Sequence, residues 1–326
     1  MRPACGIRLG SGFVRDGDLD LLLDRLPSCR NRQSVAQLHG GLTNVNYRIA
    51  TTAGEVVARI SSADGSLLAI DRDAEESNAR TAADTGIAPA VLDRLIDPPV
   101  LVVRYIESLT LDAAALRSGD HLGRIATSLR TLHGGPPFRG RFDMFDIAER
   151  YLRIAHERDL LLPPRYLDHA PIVERIRTTL ERHPEDLVSC HNDLLAENFL
   201  WDGNAIWIID FEYSGLNEPS FELGNLAAES DLDDDGVRTL LAAYWRADDG
   251  SALVAHKAAR SALWGLVARY GWTLWALISE SINPLDFDFR GWGLEKYDAF
   301  EVAVADVSRL DDLIRRAGTS HENPAV

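Results

Sequence analysis

The run His191-Asn192-Asp193-Leu194-Leu195-Ala196-Glu197-Asn198, followed by Ile208-Ile209-Asp210-Phe211-Glu212, constrains this chain more than any other stretch. Two short apolar runs lie between the acidic positions, Phe199–Trp201 and Ile206–Ile209, and Asp202-Gly203 turns one into the other. That is the pattern of a hairpin. It leaves Asp193, Asn198 and Asp210 at the ends of short strands, where loops expose them. The types present are one carboxylate, an amide five residues on, and a second carboxylate behind an apolar strand. Such a set can orient and deprotonate a substrate hydroxyl with the first acid, while the amide and the second acid hold magnesium on a nucleoside triphosphate. An apolar run ending in Asp occurs in any protein with a sheet, but its combination with H-x-D-x-x-x-x-N is much rarer. The expectation is that folding gathers residues 193, 198 and 210 around one divalent ion, at the mouth of a cleft facing a glycine turn.

The rest of the chain divides into an α+β part and a helical part. Val45, Tyr47 and Ile49 alternate with polar neighbours, which predicts a half-buried strand over 45–51. Thr52-Ala53-Gly54-Glu55 reads as a turn and Val56–Ile60 as the return strand. A helix fits Asp71 to Thr85, with acids in its first turn, Gly86 after its end and Pro89 beyond. Val100–Ile106 reads as a further strand. From there on helical stripes dominate, over 121–133, 143–158, 170–183, 234–246, 251–281 and 294–316, interrupted by a strand at Leu187–Cys190 and the hairpin. The expected fold is α+β and bilobal: a small N-terminal lobe (1–106) with an antiparallel sheet and one helix, and a larger, mostly helical C-terminal lobe (107–326). At 326 residues the chain has room for both. Residues 1–34 remain poorly defined by these patterns.

His39-Gly40-Gly41-Leu42-Thr43-Asn44 precedes the first clear strand. Its glycines allow a close backbone approach to phosphates. Gly41 with the Thr43 hydroxyl and the Asn44 amide could then bind phosphate oxygens, although Gly-Gly before a strand is usually only a turn. Arg59 stands near the end of the next strand and Glu75 on the helix that follows. A strand cation paired with a helix glutamate is the ion pair that positions phosphates in kinases. Glu75 is preferred to its neighbour Glu76 for this part.

These motifs together resemble the choline/ethanolamine kinases, within the aminoglycoside phosphotransferase superfamily, whose fold is protein-kinase-like. The resemblance runs from about residue 35 onward. HNDLLAENFL (191–200), IDFEYSGLNEPSFELGNLAAE (209–229) and LDFDFRGW (285–292) carry most of it, with GGLTNVNY (40–47), IDRDAEESNA (70–79) and GIAPAVL (86–92) in support. Asp210-Phe211-Glu212 stands where protein kinases have Asp-Phe-Gly, a departure typical of choline kinases. The resemblance implies that Asp193 is the catalytic base and that Asn198 and Asp210 bind Mg²⁺, a hard ion that prefers oxygen ligands. ATP would be the co-substrate. His191 is expected to brace the loop, and Asn192 and Glu197 receive no chemical role.

The same resemblance points to an acceptor pocket. In choline kinases a W-x-x-W helix, an aromatic segment after it and an acid enclose a trimethylammonium head. Trp272, Trp275 and Trp292 match the aromatic positions, Glu229 the acid, and Tyr213 lies close enough to Asp210 to line the same cavity. Aromatic faces hold a methylated ammonium by cation–π attraction, about 0.5–2 kcal/mol per ring. The plainer reading of Trp264, Trp272 and Trp275 is a core stripe, and Trp264 is assigned to the core.

Composition narrows the partners. The formal charge of −16 disfavours nucleic acid and suits a small cationic alcohol. Cys5, Cys29 and Cys190 are spaced for neither a disulfide framework nor a zinc site, which suggests a reducing, cytoplasmic setting. No apolar stretch is long enough for membrane insertion, and MRPACGIRLG lacks the apolar core of a signal peptide. Two rival readings stay open. One is a kinase for thiamine, an amino sugar or an aminoglycoside, for which the acidic run Asp231-Leu232-Asp233-Asp234-Asp235 could serve. The other is a catalytically inactive kinase-like binding protein.

Overall fold

The structure is a computed structural model that describes residues 8–9, 12–13, 16–38, 41–61, 65, 67–283, 285 and 287–320. His39 and Gly40 of the glycine turn, Asp286 of the LDFDFRGW segment and most of the first ten residues lie outside the described residues.

The N-terminal region is built on one sheet. After the short pair β1 (Arg8–Leu9) and β2 (Gly12–Phe13) comes helix α1 (Asp16–Asp24). Strands β3 (Arg32–Leu38), β4 (Asn44–Thr51) and β5 (Gly54–Ser61) follow, then helix α2 (Arg72–Asp84) and strands β6 (Val91–Leu95) and β7 (Val100–Arg104). The order is β3-β4-β5-β7-β6 and every pairing is antiparallel. Alternation along the strands sorts the two faces. Val56, Ala58, Ile60, Val100 and Val102 pack on Leu22 and Leu23 of α1 and on Leu26 just after it. Val57, Arg59, Leu101 and Val103, one residue out of step, face a cleft. Asp71 caps α2 by accepting from the Asp73 and Ala74 N–H groups at 2.9 and 3.0 Å, which sets the helix start and the position of Glu75.

The remainder is mostly helical, giving the α+β, two-lobed architecture. It begins with β8 (Leu109–Thr110), α3 (Ala113–Arg117), α4 (Leu122–His133), α5 (Met144–Glu157) and α6 (Ala170–Glu181). Then come β9 (Val188–Cys190), β10 (Phe199–Trp201), β11 (Ile206–Ile208) and β12 (Gly215–Asn217). Helices α7 (Pro219–Glu229), α8 (Asp234–Trp245), α9 (Ala252–Ile282), α10 (Phe289–Ala305) and α11 (Val307–Ala317) complete it. β10 and β11 form the hairpin, and β8 adds to its β10 edge.

Helix α9 is buried on all sides and is the axis of this region. A helix apolar all round is a core element, and among the described residues no helix is long and apolar enough to cross a membrane. Gly224 of α7 lies against the Ser261 carbonyl of α9, where a Cβ would overlap the oxygen. This close approach lets α7 run directly beneath the loop 191–198. The helix expected over 294–316 is two helices: the chain breaks at Asp306, whose side chain caps α11 by accepting from the Arg309 N–H at 3.0 Å. The strand expected over 100–106 ends at Arg104, and α1, α3, α7, β3, β6, β8 and β12 were not anticipated.

Candidate active site

A cavity of about 700 Å³ runs between the glycine turn and the far aromatic cluster. Its apolar wall includes Val57, Leu101, Val103, Leu200 and Ile209, and it continues past Asp193, Asn198 and Asp210 to Tyr213, Glu229, Trp272, Trp275 and Trp292. Gly41, Thr43 and Arg59 line it as well. Eleven of the thirteen residues singled out from the sequence line this one cavity; the other two, Asn44 and Glu75, are tied to it through the hydrogen bonds described below.

The loop 191–198 is held from beneath. His191 is fully buried, and its Nε2 bonds to the Ile209 carbonyl at 2.8 Å. Nε2 must carry the proton, so Nδ1 accepts the Asp193 N–H at 3.3 Å. Burial pushes the imidazole pKa below its ordinary value, in keeping with a neutral ring. Asn192 adopts φ +69°. Its amide donates to the Tyr213 carbonyl at 3.0 Å and accepts from Asn217 at 2.9 Å, tying β9 to β12. Glu222 of α7 receives the backbone N–H groups of His191 and Asn192 at 2.8 and 2.7 Å. Burial alone would raise its carboxyl, but His133, His191 and the Asn192 amide overcome that and hold it below the usual range.

Replacing Glu222 with Ala leaves two buried N–H groups unpaired, at about 1–3 kcal/mol each. Urea denaturation is expected to show that loss at neutral pH. A depressed carboxyl stabilises above its unfolded pKa of about 4.3 and ceases to do so as pH falls through its folded value. The gap between wild type and variant should therefore narrow below about pH 4.

Asp193 is half-buried in the cavity wall. Burial, then the charges of Asp210, Glu212 and Glu229, push its carboxyl well above the usual range, against an opposing pull from Lys296. The Asn198 side-chain N–H donates to the Asp193 carbonyl at 2.7 Å, which turns the amide oxygen of Asn198 away from that contact. Asp210 has φ +69°. Burial raises its carboxyl even though Arg59 is bonded to it.

Arg59 bonds both Asp210 and Glu75 and lies 3.6 Å from Glu212. Arg72 spans Glu75 at 2.7 Å and Glu212 at 3.1 Å. Glu76 pairs instead with Arg80 and Arg94. The Thr43 hydroxyl and the Asn44 amide donate to Glu212 at 2.8 and 3.1 Å. They bind a carboxylate here, and through it they lock the glycine turn to the Asp210 segment. Burial would raise Glu212, but Arg59 and Arg72 outweigh it and its carboxyl is held below the usual range.

At the far end the tryptophans are both wall and core. Trp272 donates to Asn225 Oδ1 at 2.9 Å, and Trp275 to the Tyr213 hydroxyl at 2.7 Å. Tyr213 and Trp272 meet edge to face at 5.2 Å, Trp275 and Trp292 at 5.5 Å. Trp264 packs on Phe145 and Phe221, in the core. Glu229 is paired with Lys296.

Arg72, Glu212, Glu222 and Lys296 were missed. Arg72 had a signal three residues before Glu75, and Lys296 one four residues after Trp292, both helical neighbours. Glu222 had none, since its partners lie 30 and 31 residues away. Cys190 lies with His133 and Glu222, their ligand atoms within 4.8 Å. Burial keeps the Cys190 thiol far above its ordinary pKa, and Glu222 is engaged by the loop amides.

Asn198 and Asp210 present hard oxygen donors of the kind Mg²⁺ takes, and both line the same cavity.

The sequence profile of the phosphotransferase enzyme family matches residues 34–262. A choline/ethanolamine kinase family protein from Mesorhizobium loti superposes with a TM-score of 0.79 at 28% identity, covering 92% of this chain and 99% of the other. Choline kinase LicA from Streptococcus pneumoniae gives a TM-score of 0.76 at 26% identity, covering 89% and 99%. Ethanolamine kinase 1 of Mus musculus is 24% identical over 91% of each chain.

Proposed function

The chain belongs to the phosphotransferase enzyme family, and on that premise we propose that it is a kinase transferring the γ-phosphoryl group of ATP to the hydroxyl of choline or a related amino alcohol such as ethanolamine. One observation carries this reading: the cavity that holds Asp193, Asn198 and Asp210 is lined as well by Trp272, Trp275, Trp292 and Glu229. Aromatic faces and a carboxylate suit an organic cation, and a hydroxyl two carbons away from it would lie toward Asp193.

In this reading residues 1–106 supply the nucleotide side and residues 107–326 the catalytic loop and acceptor pocket. The base of ATP would rest on the apolar wall, with Gly41 at the phosphates and the Arg59–Glu75 pair behind them. Asn198 and Asp210 would hold Mg²⁺, which neutralises charge on the phosphates when bound. Asp193 accepts a hydrogen bond from the acceptor hydroxyl and takes its proton as the oxygen–phosphorus bond forms and ADP departs. The acceptor oxygen's orientation contributes more than basicity in such a transfer. The cysteine pattern and the charge of −16 favour a cytoplasmic setting without a nucleic-acid partner.

An aminoglycoside reading needs a wide acidic groove. Asp233 instead caps α8 by accepting from the Gly236 N–H at 2.8 Å, Asp231 pairs with Arg269 and Asp234 with Arg309. The acidic run is engaged at a helix start, where the dipole favours it. ADP release with choline, ethanolamine, thiamine and kanamycin at matched concentration tests the proposal. Choline or ethanolamine should be preferred. Inactivity of the wild type with every acceptor would instead support a binding protein.

Trp272→Ala removes one wall of the cage. Its KM for choline should rise by up to about thirtyfold, the equivalent of about 2 kcal/mol of cation–π attraction in a desolvated site. Ethanolamine, whose ammonium can donate hydrogen bonds to a carboxylate, should lose less. An equal loss for the two would count against the cage.

A further inference from the structure

The acceptor end already contains an ammonium group. Lys296 follows Trp292 by one turn of α10, so the two share a face. Its Nζ is ion-paired with Glu229 Oε2 and stands 3.8 Å from the centre of the Trp292 ring. Those side chains are only 11% and 3% exposed, and Lys296 stands directly behind the cavity wall that Glu229 and Trp292 form. A carboxylate beside an aromatic face is the setting that captures an organic cation. The other oxygen, Glu229 Oε1, is buried without a hydrogen-bond partner, on a residue that lines the cavity. A carboxylate oxygen left so is unfavourable, and Glu229 is therefore set to receive a cation from the cavity side. Two ammonium groups on one carboxylate would repel each other in a poorly solvated pocket.

We propose that Lys296 is an internal occupant of the cation subsite, and that the acceptor's ammonium displaces it from Glu229 on binding. This rests on the amino-alcohol reading above. The lysine keeps Glu229 neutralised while the pocket is empty, and its flexible four-carbon stem lets the charge swing toward solvent when an acceptor arrives. The cost is affinity, because each binding event breaks an existing ion pair.

The test compares Lys296→Met, which keeps the apolar stem and removes the charge, with Lys296→Arg, which keeps a cation in place. Choline and its uncharged isostere 3,3-dimethyl-1-butanol serve as probes, followed by tryptophan fluorescence for Kd and by steady-state kinetics for KM. Lys296→Met should tighten choline about three- to fivefold in both quantities, because no ion pair then has to be broken on binding. The neutral isostere should gain nothing, and Lys296→Arg should stay within about twofold of wild type for choline. If Lys296→Met weakens choline or leaves it unchanged, the lysine only holds Glu229 in place and the inference is overturned. Should Lys296→Met fail to fold, Lys296→Gln must show the same tightening. Wild-type enzyme that phosphorylates no amino alcohol would strike the underlying functional reading instead. Wild-type turnover with the wrong sign at Lys296 would strike this inference alone.

Discussion

Asp193→Asn is expected to lower kcat by about a thousandfold, the scale of a general base, and at the same time to raise the melting temperature. The two effects have one cause. Asp193 sits half-buried facing Asp210, Glu212 and Glu229, and its carboxyl is pushed well above the usual range by burial and then by those charges. A carboxyl whose folded pKa is raised adds no penalty below its unfolded pKa of about 3.9, and destabilises progressively as pH rises through the folded value. At neutral pH the neutral amide removes that penalty while keeping the shape. A gain of about 2–4 °C is expected near pH 7.5 and none near pH 3.5, read by thermal melts. An inactive variant that is also less stable at pH 7.5 would mean that Asp193 is held by structure and not poised for chemistry.

Arg59→Met is expected to have the largest effect on stability. The guanidinium bonds Glu75 and Asp210 and lies beside Glu212, with only a tenth of its side chain exposed. Removing one partner of a buried ionic cluster leaves charges uncompensated, at about 3–5 kcal/mol. Arg72 remains on Glu75 and Glu212, so Asp210 bears most of the loss. Glu212 owes its depressed carboxyl to Arg59 first among its charged partners. That stabilisation is present above the unfolded carboxyl pKa and disappears as pH falls through the folded one. The variant's deficit in urea denaturation should therefore be full at pH 7.5 and smaller near pH 4. A deficit that does not change with pH would show that packing, not charge, is what Arg59 supplies.

How much of this was legible in the sequence depended on whether a feature is local. The loop 191–198, the hairpin and Asp210 form one continuous stretch, and the short hairpin returns Asp210 to the cavity that Asp193 and Asn198 line. β4, β5 and α2 announced themselves by alternation, turn residues and a capping aspartate. β3 did not, because it is an edge strand with nearly every residue exposed, so no apolar period marks it. α7 is buried along most of its length beside a glycine contact, and a segment buried on most sides has no amphipathic stripe to read. Glu222, Glu212 and Lys296 act on groups brought to them by tertiary folding. Thr43 and Asn44 donate to Glu212, a partner 169 and 168 residues away that the glycine-turn motif does not announce.

In the proposed reaction Asn198 and Asp210 would hold one divalent ion beside Asp193. Crystals grown with Mn²⁺, a non-hydrolysable ATP analogue and choline test it most directly, through the anomalous signal of the manganese. A peak beside Asn198 and Asp210 is expected, with choline in the pocket of Trp272 and Trp275, and loss of that peak in Asp210→Asn. Manganese bound away from residues 198 and 210, or choline outside the pocket of Trp272 and Trp275, would contradict it.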